Sequence, residues 1–427
     1  MKKPLSFHEI MPDDVWKWKY MENQVEQVLS LYNYQEIRLS VLQDYNILYK
    51  GITALLDTEE AQEITGQIIN LKQPDGNISL LSLRPEGTIN VLNHVANNLE
   101  QNKIHRIFYH GHMFRKDAQQ QPMEFDQLGV ELLGSDSILS ENEVMNMGVR
   151  ICEQLGLKDA RLEINSFGCN VCRPAYFKAM RQFLSDNKDK FCLSCFEALN
   201  NNPLHPTECM DSNCLHSTKQ GPKIHEHLCN KCKTNFDRVK KIQTNLGNNF
   251  KINHNLVKNF SYYNETVFNF VIQTNGHTEV IGGGGRYDYL SNRITGKQIP
   301  AVGFYLNLDL VYNIMSARNL FQTQSKPFRV YISTQSDDLE IMLLQIVQEL
   351  HEDDISTIIN TDRNPTEKDT EVALENDCQV MVILRAENIR EGKALLKNFI
   401  KEKQSYVSLS DLLPEIDIIR KSAQVTT

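Results

Sequence analysis

Within the stretch FRKDAQQQPMEFDQLGVELLG, residues 114–134, the part from Phe125 onward reads as a strand with two unlike faces. Successive strand side chains point to opposite sides. Leu128, Val130 and Leu132 therefore share one face with Asp126, and this mostly apolar face can pack inward. Phe125, Gln127, Gly129 and Glu131 share the other, where two polar groups flank a glycine that leaves space. Arg115 lies upstream, across a hairpin closed by the polar loop KDAQQQP. Together these residues read as the floor of a polar pocket, although the same alternation also fits an edge strand with one wet face.

The 427 residues suffice for two or three domains. No apolar run approaches the roughly 18 residues that would span a bilayer. The start, MKKPLSFHEIMPDDVWKW, has no apolar stretch of a secretory signal, so a cytoplasmic protein without membrane association is expected. A net charge of −9 gives no general reason to expect nucleic-acid binding, but leaves room for a local basic patch. Helical spacing of Val15, Trp18, Met21, Val25, Val28, Leu29 and Tyr32 predicts an N-terminal amphipathic helix. EIRLSVL reads as a strand. ISLLSLRPEGTINVLNHVANNL reads as strand, turn and helix, with Glu86 in the helix's first turn. Strands return at FNFVIQT and HTEVIGGG, and PAVGFYLNLDLVYNIM reads as a strand running into a helix. QTQSKP, about 322–327, reads as a linker before an alternating α/β stretch. The expected organisation is a core of residues 1–164 and 248–321, a Cys-rich insert over 165–247, and a further domain over 326–427.

The segments SLRPEGT (82–88), FYHGHMFR (108–115), EFDQLGVELLG (124–134), NLVKNFSYYNETVF (255–268), GGGGRYDYL (282–290) and PAVGFYLNL (300–308) carry a family pattern. In their order and spacing the chain resembles class II histidyl-tRNA synthetases over nearly its full length. The resemblance implies an α+β fold: an antiparallel sheet with flanking helices, then an anticodon-binding-like α/β domain. It implies a homodimer. It places Glu86, Thr88, Gln127 and Glu131 around the α-amino group of histidine, consistent with an ammonium's need for acceptors. It places Tyr262 and Tyr263 beside the imidazole, and Arg115 at the α-phosphate and carboxylate. Gly283 and Gly285, within the four-glycine run, would let backbone approach the ligand. Taken without the resemblance, the tyrosines also fit core packing and the glycines a turn or bulge.

Adenylation of an amino acid spreads negative charge over phosphates, to be met by arginines and Mg²⁺. Here the family's arginines are depleted. The loop after Arg115, arginine-rich in the family, is DAQQQPME, and Asp117 stands where a glutamate reads adenine. The arginine before the tyrosine pair is Lys258, which keeps charge but loses the bidentate fork. Leu310 replaces the arginine that ends the last motif, and Asn269 the glutamate after TVF. In the dimer-interface motif, Ser40 replaces a proline and Gln43 a glutamate. Losing one preorganised phosphate contact costs about 10²–10³ in rate. The sequence thus points to a synthetase-like protein with a histidine-type pocket and impaired or lost adenylation, regulatory in role, with a protein partner, as synthetase-like subunits of ATP phosphoribosyltransferase are. Two other functions fit: a working histidine–tRNA ligase using ATP and Mg²⁺, its phosphate contacts coming from Lys116, Arg106 or Arg286, and an enzyme activating an amino acid for a non-tRNA acceptor.

Of ten cysteines, Cys152 and Cys378 stand alone and read as small buried residues. The others form four pairs: Cys169–Cys172, Cys192–Cys195, Cys209–Cys214 and Cys229–Cys232. In a cytosolic chain such pairs suggest structural zinc, at one or two sites, more than disulfides. Their mutual pairing stays open, and His205, His216, His225 and His227 are either substitute ligands or surface residues. Residues 326–427 carry 12 lysines and arginines against 19 acids. The predicted helix PTEKDTEVALENDC has one lysine and five acids, read as a solvated face. This balance makes tRNA binding doubtful at the sequence level.

Overall fold

The structure is a computed structural model, and it describes residues 9–53, 65–72, 78–98, 100, 103–117, 121–197, 203–207, 209, 211–257, 262–274, 276–322, 327–334, 336–361 and 366–424. The chain divides into two compact units between Phe321 and Gln322. Most of the linker stretch expected at 322–327 lies outside the described residues.

The first unit opens with α1 (Pro12–Leu31), which carries proline and two aspartates in its first turn and buries Trp18, Met21, Val25, Val28 and Leu29 at helical spacing. There follow β1 (Gln35–Glu36), β2 (Leu42–Asp44), α2 (Tyr45–Ile52), β3 (Asn70–Lys72), β4 (Ile78–Leu83), α3 (Thr88–Asn98), β5 (His105–Lys116), β6 (Pro122–Leu133), α4 (Ile138–Gln154) and β7 (Arg161–Ser166). The Cys-rich segment holds α5 (Arg173–Asp186), α6 (Leu193–Glu197), α7 (Ser212–Thr218) and α8 (Asn230–Asn245). The unit closes with β8 (Phe250–Ile252), β9 (Asn264–Thr274), β10 (His277–Arg286), α9 (Leu290–Thr295), β11 (Ala301–Asn307) and α10 (Leu308–Ala317).

Eight strands form the main sheet in the order β1-β5-β6-β11-β10-β9-β7-β8. The expected antiparallel sheet is in fact mixed. Its centre is antiparallel, but the outer pairs β1–β5 and β7–β8 run parallel. Leu128, Val130 and Leu132 of β6 enter the larger core with side chains from α1, α4 and α10. The opposite face meets a second core containing Tyr109, Tyr262, Tyr263 and Tyr287.

EIRLSVL is not one strand. β1 stops at Glu36, β2 begins at Leu42, and the chain between them leaves the main sheet for a three-stranded one with β3 and β4. The buried Arg84 side chain holds this crossing: it donates to the Leu39 carbonyl at 2.7 Å and the His112 carbonyl at 2.7 Å. Glu86 also differs from expectation. It precedes α3, and its carboxylate caps the helix by accepting from the Thr88 and Ile89 amides at 2.8 and 3.0 Å.

The second unit contains β12 (Arg329–Thr334), α11 (Glu340–Glu352), β13 (Ser356–Ile359), α12 (Thr366–Glu375), β14 (Val380–Leu384), α13 (Ala386–Arg390), β15 (Lys393–Asn398), β16 (Lys403–Ser408) and α14 (Leu412–Gln424). Its sheet order is β13-β12-β14-β15-β16, with a parallel half and an antiparallel half. One acid of α12 departs from the solvated-face reading. Asp369 is fully buried and accepts hydrogen bonds from Asn360, Ser333 and Tyr331 at 2.6, 3.0 and 3.3 Å. Among the described residues, no helix is long and apolar enough to cross a membrane.

Candidate functional site

The polar face of β6 opens into a cavity of about 630 Å³ in the first unit. Phe125, Gln127 and Glu131 line it from β6, Glu86 from the turn before α3, Thr88 from the first residue of α3, and Arg115 from β5. Tyr262 and Tyr263 form an aromatic wall with Tyr287, whose ring stands edge-on to both, with centroids 6.0 and 6.2 Å away. Gly283 pairs with Asn269 on one side and Tyr305 on the other, and both partners line the cavity. Gly285 backs onto Tyr263, where an added Cβ would stand 2.9 Å from the ring.

Glu131 is the centre of the hydrogen bonding. Its carboxylate accepts from the Thr88 hydroxyl at 2.7 Å and from the Tyr287 hydroxyl. Burial pushes this carboxyl up to about 8; the hydroxyls of Tyr287 and Thr88 pull against that rise and the neighbouring Glu86 adds to it. Glu86 is itself raised by burial. Gly303 is obligatory here, because a Cβ would lie 1.9 Å from a Glu131 oxygen. Arg115 donates through Nε to the Pro85 carbonyl at 2.7 Å, and its guanidinium lies over the Phe125 ring, 5.3 Å from the centroid.

Other residues singled out in the sequence lie elsewhere. Asp117 does not line the cavity; its carboxylate accepts from the Gln121 amide at 2.8 Å and closes the hairpin turn. Leu310 packs against the larger core. Lys258 lies outside the described residues. Two substitute cations are committed to ion pairs: Arg106 meets Glu143 at 2.9 Å, and buried Arg286 meets Glu141 at 3.2 Å and Asp288 at 3.1 Å. Neither lines the cavity, nor does Lys116.

The sequence reading missed Tyr109, Tyr287, Asn307 and Asp309. Tyr109 fills the space left by Gly129, its register partner, and accepts from the Gln127 amide at 3.3 Å. A Cβ at Gly129 would stand 2.0 Å from the ring, and one at Gly87 2.2 Å. Gly129→Ala is therefore expected to destabilise the protein by about 2 kcal/mol through overpacking. Thermal denaturation checks this, and an unchanged midpoint would mean that the ring yields freely. Asn307 caps α10 by accepting from the Leu310 amide at 3.0 Å, and Asp309 accepts from the Asp126 amide at 2.7 Å. Tyr287 adjoins the glycine run, which could have signalled it.

The Cys-rich segment gathers two thiol groups, each with sulfurs within 4.8 Å of one another: Cys169, Cys172, Cys229 and Cys232, and separately Cys192, Cys195, Cys209 and Cys214. This resolves the pairing left open by the sequence. Four thiols at such separations, with the Cys229 amide donating to Cys172 Sγ and the Cys192 amide to Cys214 Sγ, both at 3.1 Å, suit a tetrahedral thiophilic ion. No histidine belongs to either group, although His205 Nδ1 lies 3.4 Å from Cys195 Sγ. Cys152 and Cys378 are buried, as expected.

A profile of the family described as histidyl-tRNA synthetase matches residues 6–311. The histidine–tRNA ligase of Halothermothrix orenii is 28% identical over 420 residues, covering 97% of this chain and 99% of that protein. That of Acetivibrio thermocellus is 29% identical over 417 residues, covering 97% and 98%. Among solved structures, apo histidyl-tRNA synthetase from S. aureus superposes with a TM-score of 0.76 at 22% identity, covering 97% of this chain and 99% of that one. A Bacillus halodurans C structure described as an ATP phosphoribosyltransferase regulatory subunit/histidyl-tRNA synthetase gives 0.63 at 18%, covering 90% and 98%. With the profile spanning most of its length, and the segments that build the cavity lying within the match, the chain belongs to the histidyl-tRNA synthetase family.

Proposed function

We propose that this protein binds histidine or a closely related amino acid and is impaired in, or has lost, its adenylation by ATP. The observation that carries the reading is the balance of acidic and basic groups around the cavity. Among the described lining residues, Glu86, Glu124, Glu131 and Asp309 face a single cation, Arg115. That set suits an ammonium-bearing ligand. It suits a triphosphate poorly, since developing phosphate charge needs several fixed cations or Mg²⁺. Glu86, Thr88, Gln127 and Glu131 would receive the α-amino group, Tyr262 and Tyr263 the imidazole, and Arg115 the carboxylate. Mg²⁺ and ATP enter only where adenylation is retained. Dimerisation, as in the family, and a regulatory protein partner belong to the same proposal, as do the boundaries 1–164 with 248–321, 165–247 and 326–427. Two structural zinc ions, one in each four-cysteine group, complete it.

A second reading, an active histidine–tRNA ligase, is favoured by the span of the relatives. The two ligases match 97% of this chain, and the matches extend through its C-terminal unit. The doubt that the acidic balance of 326–427 cast on tRNA is therefore not upheld. Histidine-dependent ATP–pyrophosphate exchange decides between the readings. Calorimetric histidine binding with exchange near background is expected, with partial recovery in Leu310→Arg/Lys258→Arg. Exchange and tRNA charging at rates usual for a ligase would overturn the proposal, whereas exchange without charging would point to a non-tRNA acceptor.

A further inference from the structure

The two four-cysteine groups hold different parts of the protein. Cys169 and Cys172 lie between β7 and α5, while Cys229 and Cys232 lie at the start of α8. Arg173 follows this first group directly. Its guanidinium is buried, stacks on the Phe167 ring with 4.7 Å to the centroid, and donates to the backbone carbonyl of Tyr263. On the other side of the same segment, the Glu265 amide donates to the Gly168 carbonyl at 2.9 Å, and the Phe167 amide donates back to the Glu265 carbonyl. Glu265 adopts a φ of 52°, in the left-handed region that side chains seldom occupy. Its carboxylate is held from α8 by Asn235 at 3.0 Å and by Lys231 at 3.7 Å. Both Cys-x-x-Cys turns therefore grip residues 263–265, and Tyr263 is a wall of the cavity.

The second group has no hydrogen-bonded route of this kind among the described residues, and its nearest approach to the wall is apolar: Leu204, next to His205, packs against the core that holds Tyr262 and Tyr263. Its bonds stay within the insert: the Cys192 amide to Cys214 Sγ, the Asp211 amide to Cys209 Sγ at 3.4 Å, and His205 beside Cys195.

We infer that metal bound by Cys169, Cys172, Cys229 and Cys232 sets the affinity of the cavity for its amino acid by fixing the Tyr262–Tyr263 wall, and that the second group is a local staple without this influence. Arg173 is the positioning residue that transmits the effect. Four thiols bridged by one ion fix the two turns relative to each other, which fixes the start of both helices that hold residues 263–265. The inference uses the proposed amino-acid pocket, and its test separates the two.

The full-length chain is prepared as wild type, Cys229→Ser/Cys232→Ser, Cys209→Ser/Cys214→Ser and Arg173→Met. Zinc content, L-histidine affinity by calorimetry and backbone amide exchange over residues 262–266 are measured for each. In the first-group variant, loss of one zinc equivalent, at least tenfold weaker histidine binding and lost protection over 262–266 are expected. The second-group variant is expected to lose one equivalent while keeping wild-type affinity and protection. Arg173→Met is expected to keep both equivalents yet bind histidine at least tenfold more weakly, which also covers a first-group variant that does not fold. Wild-type affinity and protection in Arg173→Met, or equal losses in the two cysteine variants, would overturn the inference. Absence of histidine binding in the wild type would refute the pocket instead, and the exchange pattern would still judge the clamp.

Discussion

Glu131→Gln is expected to abolish measurable histidine binding while raising the melting temperature of the ligand-free protein. Both effects follow from one carboxyl group. Glu131 is 2% exposed, and burial lifts it to about 8, so at neutral pH it keeps its proton in the empty cavity. The unfolded chain releases that proton at about 4.3. Between those values the native state binds more protons than the unfolded state, so stability falls as pH rises through that window. Glutamine removes this slope, and the variant should gain up to roughly 5 kcal/mol at pH 8. Binding works in the opposite direction. An ammonium beside Glu131 and Glu86 favours the charged carboxylate, so histidine affinity in the wild type should rise between pH 6 and 8 as the proton leaves. Without the carboxylate the ligand loses its charged acceptor, and affinity should drop at least a hundredfold, about 2.7 kcal/mol. Calorimetry and circular dichroism melts across pH 5–8 read both quantities. Wild-type affinity in the variant would remove Glu131 as the ammonium's partner, and a lower melting temperature would show that its carboxyl stabilises the empty fold.

The two faces of β6 were legible in the chain, whereas the raised carboxyl of Glu131 was not. Alternation along β6 sent Leu128, Val130 and Leu132 to the core and Gln127 and Glu131 to the cavity, because a two-residue period leaves little freedom once one face is apolar. Partners distant in sequence were not legible. The space beside Gly129 is occupied by Tyr109 from the neighbouring strand, a consequence of register rather than of either segment alone. Cysteine spacing indicated metal chemistry, yet only folding brings Cys169 and Cys172 to Cys229 and Cys232, about sixty residues on. Charge was read least well. A sequence counts Arg106 and Asp369 without showing that Glu143 engages the first and that three neutral groups bury the second.

Arg286 makes this point testable, because the sequence left it as a candidate for phosphate binding. Its guanidinium is 2% exposed, pairs with Glu141 and Asp288, and donates to the carbonyls of Ser135 and Ser137 at 3.1 and 2.9 Å. Every one of these partners is part of the fold. Glu141 is 1% exposed and already lifted to about 7 by burial, with Arg286 holding it down. Arg286→Met would leave a buried carboxyl without its cation, which costs about 3–5 kcal/mol. The carboxyl would then rise further, so the variant would lose stability progressively as pH rises from the unfolded value of about 4.3 through neutrality. Removing both charges in Arg286→Met/Glu141→Leu should restore most of the loss, because an apolar pair of similar volume avoids desolvation. Urea denaturation at pH 5.5 and 8 measures each term. A residue devoted to phosphates would behave otherwise: Arg286→Met would weaken nucleotide binding at unchanged stability, and the second substitution would rescue nothing.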